Sequence, residues 1–184
     1  MSNTIGIIVG SLRKASFSKK LAKSIIAMAP AGFEFKTIPT DDLPIYNQDF
    51  DDEDRVPEPY IVFRNAIKAV DGVIFVTPEY NRSIPGVLKN ALDVGSRPYG
   101  KNTWDGKPAA IFSNSPGNIS AFGANHHLRQ CLVFLNVPAM QQPEVYLPDM
   151  KEAFDEHGNL KSEETWGFLQ QAVDAYVDWF NKLT

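Results

Sequence analysis

Ser11, Arg13, Ser16 and Ser18 fall within one short stretch and together have the chemistry of an anion site. Three hydroxyls can donate hydrogen bonds, and an arginine fork matches phosphate oxygens. A helix opening at this point would add unpaired N–H groups and the positive end of its dipole. The stretch, Gly10-Ser-Leu-Arg-Lys-Ala-Ser-Phe-Ser18, is not a P-loop, because Ala15 and Ser16 stand where that motif needs glycine and lysine. It also lacks the glycine spacing of a dinucleotide fingerprint. The competing interpretation is an ordinary serine cap followed by solvent-facing lysines; the position of the stretch, directly after an apolar run, weighs against it.

A second candidate group is Pro78, Glu79, Tyr80 and Asn81, followed by Ser83 and by Pro85-Gly86. A flat heteroaromatic ring needs an aromatic or peptide surface for its face and N–H and C=O groups for its edge, and this composition offers both. A rigid turn with a packed tyrosine is the plainer alternative. Glu79 has no partner carboxylate in sequence and is expected to hydrogen-bond or to sit at an interface, not to act as a general base. The third group, Ser113-Asn-Ser-Pro-Gly-Asn-Ile-Ser-Ala-Phe-Gly123, is rich in small residues that let backbone approach a ligand. His126 and His127 diverge by about 100° on a helix and have no acidic or cysteine partner at ligand spacing, so no metal site is expected. Cys131 is the single cysteine, which excludes an internal disulfide; its neighbours suggest a buried thiol on a helix face.

The elements that must position these groups alternate along the chain. The continuous apolar runs Ile5–Val9, Gly72–Val76 and Ala109–Ser113 read as strands covered on both faces, and Phe33–Ile38 as an alternating outer strand. Helical spacing follows in Leu21 to Ala29, near Pro57 to Val70, from about Pro85 to Val94 and up to about Asn136. A last strand is expected within Val137 to Val145, at a sheet edge because proline cannot donate to the ladder. Ser162 should cap a final helix whose stripe is Trp166, Leu169, Val173, Tyr176, Val177 and Phe180. Five strands alternating with five helices predict an α/β fold, a doubly wound parallel sheet with helices on both faces. In such a sheet all strands end on one edge, so the loops at 10–18, 77–86 and 113–123 can converge.

The length of 184 residues suits one domain, 1–184. A net charge of -4 argues against general nucleic-acid binding, yet no acidic residue precedes Glu34 while Arg13, Lys14, Lys19, Lys20 and Lys23 do. The acids gather in 41–58 and 149–164, where they read as solvated loop charges. No N-terminal signal and no apolar run near ~18 residues is present, which predicts a cytoplasmic protein without a membrane span.

With these residues in hand, the chain resembles the NAD(P)H-dependent FMN reductase family, the flavodoxin-like group that includes quinone, chromate and azo-dye reductases. The resemblance covers nearly the whole chain. It rests on Gly10-Ser-Leu-Arg13 with Ser16-Phe17, on Pro78-Glu-Tyr-Asn81, on Ile84-Pro-Gly-Val-Leu-Lys-Asn90, on Ser96-Arg-Pro-Tyr-Gly100 and on His127-Leu-Arg-Gln130. It implies a flavodoxin-like sheet and FMN, with the phosphate on Ser11, Arg13, Ser16 and Ser18, the ring edge against Pro78, Glu79, Tyr80 and Asn81, and Ser115 contacting the ring. It further implies that NADPH or NADH supplies two electrons that pass through FMN to a small acceptor: a quinone, azo compound, metal oxyanion or free flavin. No catalytic side chain and no metal is then required. A homodimer or homotetramer is implied, with the helix after Pro85 and the turn at 96–100 near the subunit contact. The alternative is a flavodoxin-type electron carrier without its own substrate turnover. Departures from the family pattern are Ala15 and Ser18 in place of glycine and asparagine, Val94 in place of tryptophan, and Ser120-Ala121 in place of paired glycines.

Overall fold

Long apolar stretches without a polar interruption become the centre of a sheet, because only a strand covered on both faces can bury every side chain. The structure is a computed structural model that describes residues 2–184. Its elements in chain order are β1 (Asn3–Val9), α1 (Phe17–Ala27), β2 (Phe33–Ile38), α2 (Asp49–Asp52), α3 (Glu58–Lys68), β3 (Gly72–Thr77), α4 (Gly86–Gly95), β4 (Ala109–Asn114), α5 (Phe122–Phe134), β5 (Val145–Leu147) and α6 (Glu163–Leu183). The strands form one parallel sheet in the order β2-β1-β3-β4-β5. β3 and β4 are buried along their whole length. The chain runs outward from β1 to β2 and returns on the other side to β3, so the strand order reverses between β1 and β3. The doubly wound parallel sheet expected from the alternation, and the flavodoxin-like form of it that the resemblance implies, are observed.

The two-residue period of the strands divides the core in two. Ile5, Ile7, Val9, Ile74, Val76, Ala110 and Phe112 face α1 and α6, while Ile8, Val73, Phe75 and Ile111 face α3, α4 and α5. Ser162 caps α6 by accepting from the Thr165 N–H at 3.1 Å. The buried stripe of α6 is Leu169, Ala172, Val173, Tyr176 and Phe180. Two expected members do not belong to it: Trp166, in the first turn, is 41% exposed, and Val177 is only partly buried.

Three further expectations need correction. The last strand is Val145–Leu147, later than expected. Residues around Ala139 make only an isolated bridge to Ala109, because Pro138 and Pro143 have no N–H to extend a ladder. The acidic stretch at 41–58 is not merely solvated loop. It contains α2, which delivers Asp51 to Arg64 in a bidentate pair at 2.7 and 2.8 Å, with side chains 3% and 10% exposed. Arg64 also donates to the Val94 carbonyl at 2.9 Å, joining α3 to α4. The thiol of Cys131 is only partly buried, since α5 turns it toward the groove beside α4.

Candidate functional site

β1, β3 and β4 end nearly level, with Val9 opposite Val76 and Thr77 opposite Ser113. The loops that follow therefore leave the sheet side by side at the point where strand order reverses, the place where open α/β sheets bind ligands. The first two loops touch: a Cβ on Gly10 would lie 3.2 Å from Thr77 Oγ1 and 3.4 Å from Pro78 Cδ, so glycine permits the approach.

Between the three loops lies a cavity of about 350 Å³. Ser11, Arg13, Ser16 and Ser18 line it from the first loop, Pro78, Glu79 and Tyr80 from the second, and Ser115 from the third. Of the nine residues that the resemblance implies for FMN, only Asn81 lies outside this lining.

The first loop has the donors of an anion site. Ser16 caps α1, accepting from the Lys19 N–H at 3.3 Å, and keeps its own O–H to donate. The N–H groups of Phe17 and Ser18, at the first helical positions, have no carbonyl partner within the helix. Ser11 is 5% exposed and faces the cavity, and its hydroxyl makes no hydrogen bond among the described residues. No side-chain polar atom among the described residues is buried without a partner, so this hydroxyl is open to the cavity and free to donate to a ligand there. The Arg13 guanidinium rests over the Phe17 ring, 5.3 Å from its centroid, and donates to the Ala15 carbonyl at 2.8 Å. This donor set fits a phosphate monoester.

Ser18 does a second job. Its hydroxyl donates to Asn114 Oδ1 at 3.1 Å, and Asn114 Nδ2 donates to the Thr77 carbonyl at 3.3 Å. The start of α1 and the ends of β3 and β4 are thus tied together under the cavity.

The second loop is a two-residue hairpin. Tyr80 and Ser83 exchange backbone hydrogen bonds at 3.0 Å in each direction, and the intervening Asn81 and Arg82 both have positive φ, 52° and 65°. This is the type I′ arrangement, in which asparagine tolerates the left-handed conformation. Asn81 shapes the turn, and the turn presents Tyr80, 54% exposed, at the cavity mouth. The Glu79 side chain is 12% exposed and accepts from the Ala124 N–H at 3.1 Å, which satisfies the positive end of α5. A Cβ on Gly123 would stand 2.9 Å from the Arg82 carbonyl oxygen, so the second loop and the start of α5 are in direct contact. In the third loop the Ser115 hydroxyl accepts from the Gly117 N–H at 3.1 Å, and Ser120 and Ala121 adopt φ of 57° and 60°.

The two histidines point to different partners. His126 Nε2 is 3.0 Å from the Tyr146 hydroxyl, and His127 Nδ1 is 3.0 Å from Ser83 Oγ. Burial and the neighbouring Glu144 push the Tyr146 hydroxyl up to about 12, so it stays protonated at neutral pH. Burial also holds the Cys131 thiol above its ordinary value, which keeps it from being a poised nucleophile. Cys131 lines a separate groove of about 740 Å³ between α4 and α5, which lacks the hydroxyl cluster of the smaller cavity.

Four lining residues had no FMN contact assigned from the sequence: Phe17, Asn114 and Pro116, which lie within the candidate loops, and Lys151, which does not. A polar residue closing an apolar strand is a visible signal for Asn114. No local signal marks Lys151, which reaches the cavity through the register of β5 on β4.

The cavity at the strand ends of this doubly wound sheet has the donors and the aromatic wall that suit a phosphorylated planar ligand. The model of the family described as NADPH-dependent FMN reductase matches residues 3–152. The chain is 49% identical over 176 residues to a quinone reductase of Pseudomonas putida, covering 96% of this chain and 94% of the other. It is 44% identical over 179 residues to a 2-hydroxy-1,4-benzoquinone reductase of Burkholderia sp., with 97% of each chain covered. Among solved structures it is similar to FerB of Paracoccus denitrificans, a flavoenzyme NAD(P)H:(acceptor) oxidoreductase, with a TM-score of 0.91, 42% identity and 98% of each chain covered. The chain belongs to the NADPH-dependent FMN reductase family.

Proposed function

We propose that residues 1–184 act as one FMN-binding domain that oxidises NADPH or NADH and reduces a small acceptor of the quinone type. The observation that carries this is the unpartnered Ser11 hydroxyl facing the cavity beside Arg13 and the start of α1. When bound, FMN supplies the two-electron chemistry, taking hydride from the nicotinamide and yielding electrons to the acceptor.

The chain's own residues bind and orient. Ser11, Arg13, Ser16 and Ser18 hold the phosphate, the last through its backbone N–H, since its hydroxyl is engaged by Asn114. Pro78, Glu79 and Tyr80 wall the ring, and Asn81 contributes through the turn that presents Tyr80. Ser115 closes the opposite side. No side chain of the site needs to exchange a proton with the acceptor, and no metal is required. The relatives' names support a quinone-type acceptor.

The protein works as a homodimer or homotetramer in the cytoplasm. The groove between α4 and α5, lined by Ile84, Leu92, Cys131, Phe134 and Leu135, supports a subunit contact there. Val133 and Phe134 are 80% and 81% exposed on the same helix, and Tyr99, in the turn after α4, is 93% exposed. Such side chains are costly to leave in water and are typical of an interface.

Anaerobic stopped-flow mixing of NADPH or NADH with the FMN-loaded protein tests the function. Bleaching of the flavin absorbance, followed by recovery on addition of a quinone, is expected. No bleaching by either nucleotide would overturn the reductase and favour an electron carrier.

A further inference from the structure

A phosphate monoester carries close to two negative charges at neutral pH, whereas the basic N-terminal segment brings only Arg13 to the cavity. Its other cations are directed elsewhere. Lys19 Nζ donates to the Leu12 carbonyl at 3.1 Å, Lys20 lies over the Phe154 ring at 5.5 Å from its centroid, and Lys14 and Lys23 are exposed away from the lining. The second cation that lines the cavity comes from a tract that reads as acidic: it is Lys151.

We propose that Lys151 is a binding residue for the FMN phosphate, completing with Arg13 a two-cation site that selects the phosphorylated flavin over riboflavin. The proposal rests on the assignment of this cavity to FMN.

The backbone around Lys151 is held on both sides. The Ser115 N–H donates to the Leu147 carbonyl at 3.0 Å, and the Met150 N–H returns to the Ser115 carbonyl at 3.2 Å, so the segment after β5 is clamped to the third loop. Met150 is 1% exposed and anchors in the core facing α1 and α6, and Asp149, at φ 51°, turns the chain just before it. The Glu152 N–H closes that turn on the Asp149 carbonyl at 2.9 Å. Lys151, itself exposed, therefore lines the cavity with Arg13, Ser16 and Phe17 from a fixed backbone. Its side chain makes no ion pair among the described residues, while the adjacent Glu152 pairs with Lys161 at 3.9 Å. An ammonium without an ion pair, lining one cavity with Arg13, the open Ser11 hydroxyl and the start of α1, completes a phosphate arrangement of two charges, a hydroxyl and backbone N–H groups.

The test is titration of the flavin-free full chain with FMN and with riboflavin, followed by quenching of flavin fluorescence at several salt concentrations. Lys151→Gln is expected to raise the FMN Kd about tenfold or more, to leave the riboflavin Kd within about twofold, and to flatten the salt dependence of FMN binding. Lys151→Arg should keep FMN binding within about threefold of the parent. An FMN Kd unchanged in Lys151→Gln, in a protein where Arg13→Ala weakens FMN selectively, would overturn the role of Lys151 alone. Equal weakening of FMN and riboflavin would also overturn it, since the residue would then act on the shape of the wall. A parent protein that does not prefer FMN to riboflavin, with Arg13→Ala silent, would overturn the assignment of the cavity itself.

Discussion

Ser120 and Ala121 show what a residue type costs when the backbone has already chosen the conformation. Both adopt left-handed backbone at the end of the third loop, at the two positions where the resemblance implies glycines. An L residue loses about 1–2 kcal/mol there, while trimming the nearly buried Ala121 to glycine forfeits about 0.8 kcal/mol of methyl burial. Ala121→Gly is therefore expected to be neutral or to stabilise by up to about 1 kcal/mol, against the loss of about 1 kcal/mol the same change brings inside a helix. Denaturant unfolding measures this, and a loss beyond about 1 kcal/mol would contradict the strain. Residues whose chemistry is local were legible in the sequence: the serines and arginine of the first loop needed only their types and a following helix. Asn81 was legible as a site neighbour, yet its role in the turn emerges only from its φ and that of Arg82. Lys151 was not legible, because its place depends on which strand β5 joins and in what register.

Among the elements, α2 carries more consequence than its length suggests. A four-residue helix in an acidic tract gives almost no periodic signal, and the tract reads as solvated, yet α2 exists to bring Asp51 to Arg64. Tyr46 supports the same carboxylate from its hydroxyl at 3.2 Å, and the Tyr60 ring underlies the guanidinium at 5.3 Å. Removing one partner of a nearly buried pair leaves an uncompensated charge, a loss of about 3–5 kcal/mol. Arg64→Met should reduce unfolding free energy by that order, and combining it with Asp51→Leu should recover most of the loss. Urea unfolding of the single and double variants measures both, and additive losses would refute the coupling. The long elements were visible because their apolar periods run over many residues. β5 was misplaced because three residues between prolines carry too little pattern to set a boundary.

At the scale of the molecule, the reversal of strand order between β1 and β3 decides where everything meets. The alternation of strands and helices was sufficient to predict that three loops would share one sheet edge. It could not predict the polar ties beneath them, which join residues far apart in sequence. Those ties bear on how fast the site can be filled. Ser18, Asn114 and Thr77 connect the start of α1 to the ends of β3 and β4 through the chain's own hydrogen bonds, so the floor of the cavity does not have to be ordered by an incoming molecule. Rapid mixing of flavin-free protein with FMN should then give a single phase whose rate rises linearly with FMN concentration. Asn114→Ala should add a slower, concentration-independent phase as the loosened loop origins search for alignment. A slow phase already present in the parent protein would mean that the floor assembles during uptake. The small network under the loops would thus set the tempo of cofactor loading as well as its geometry.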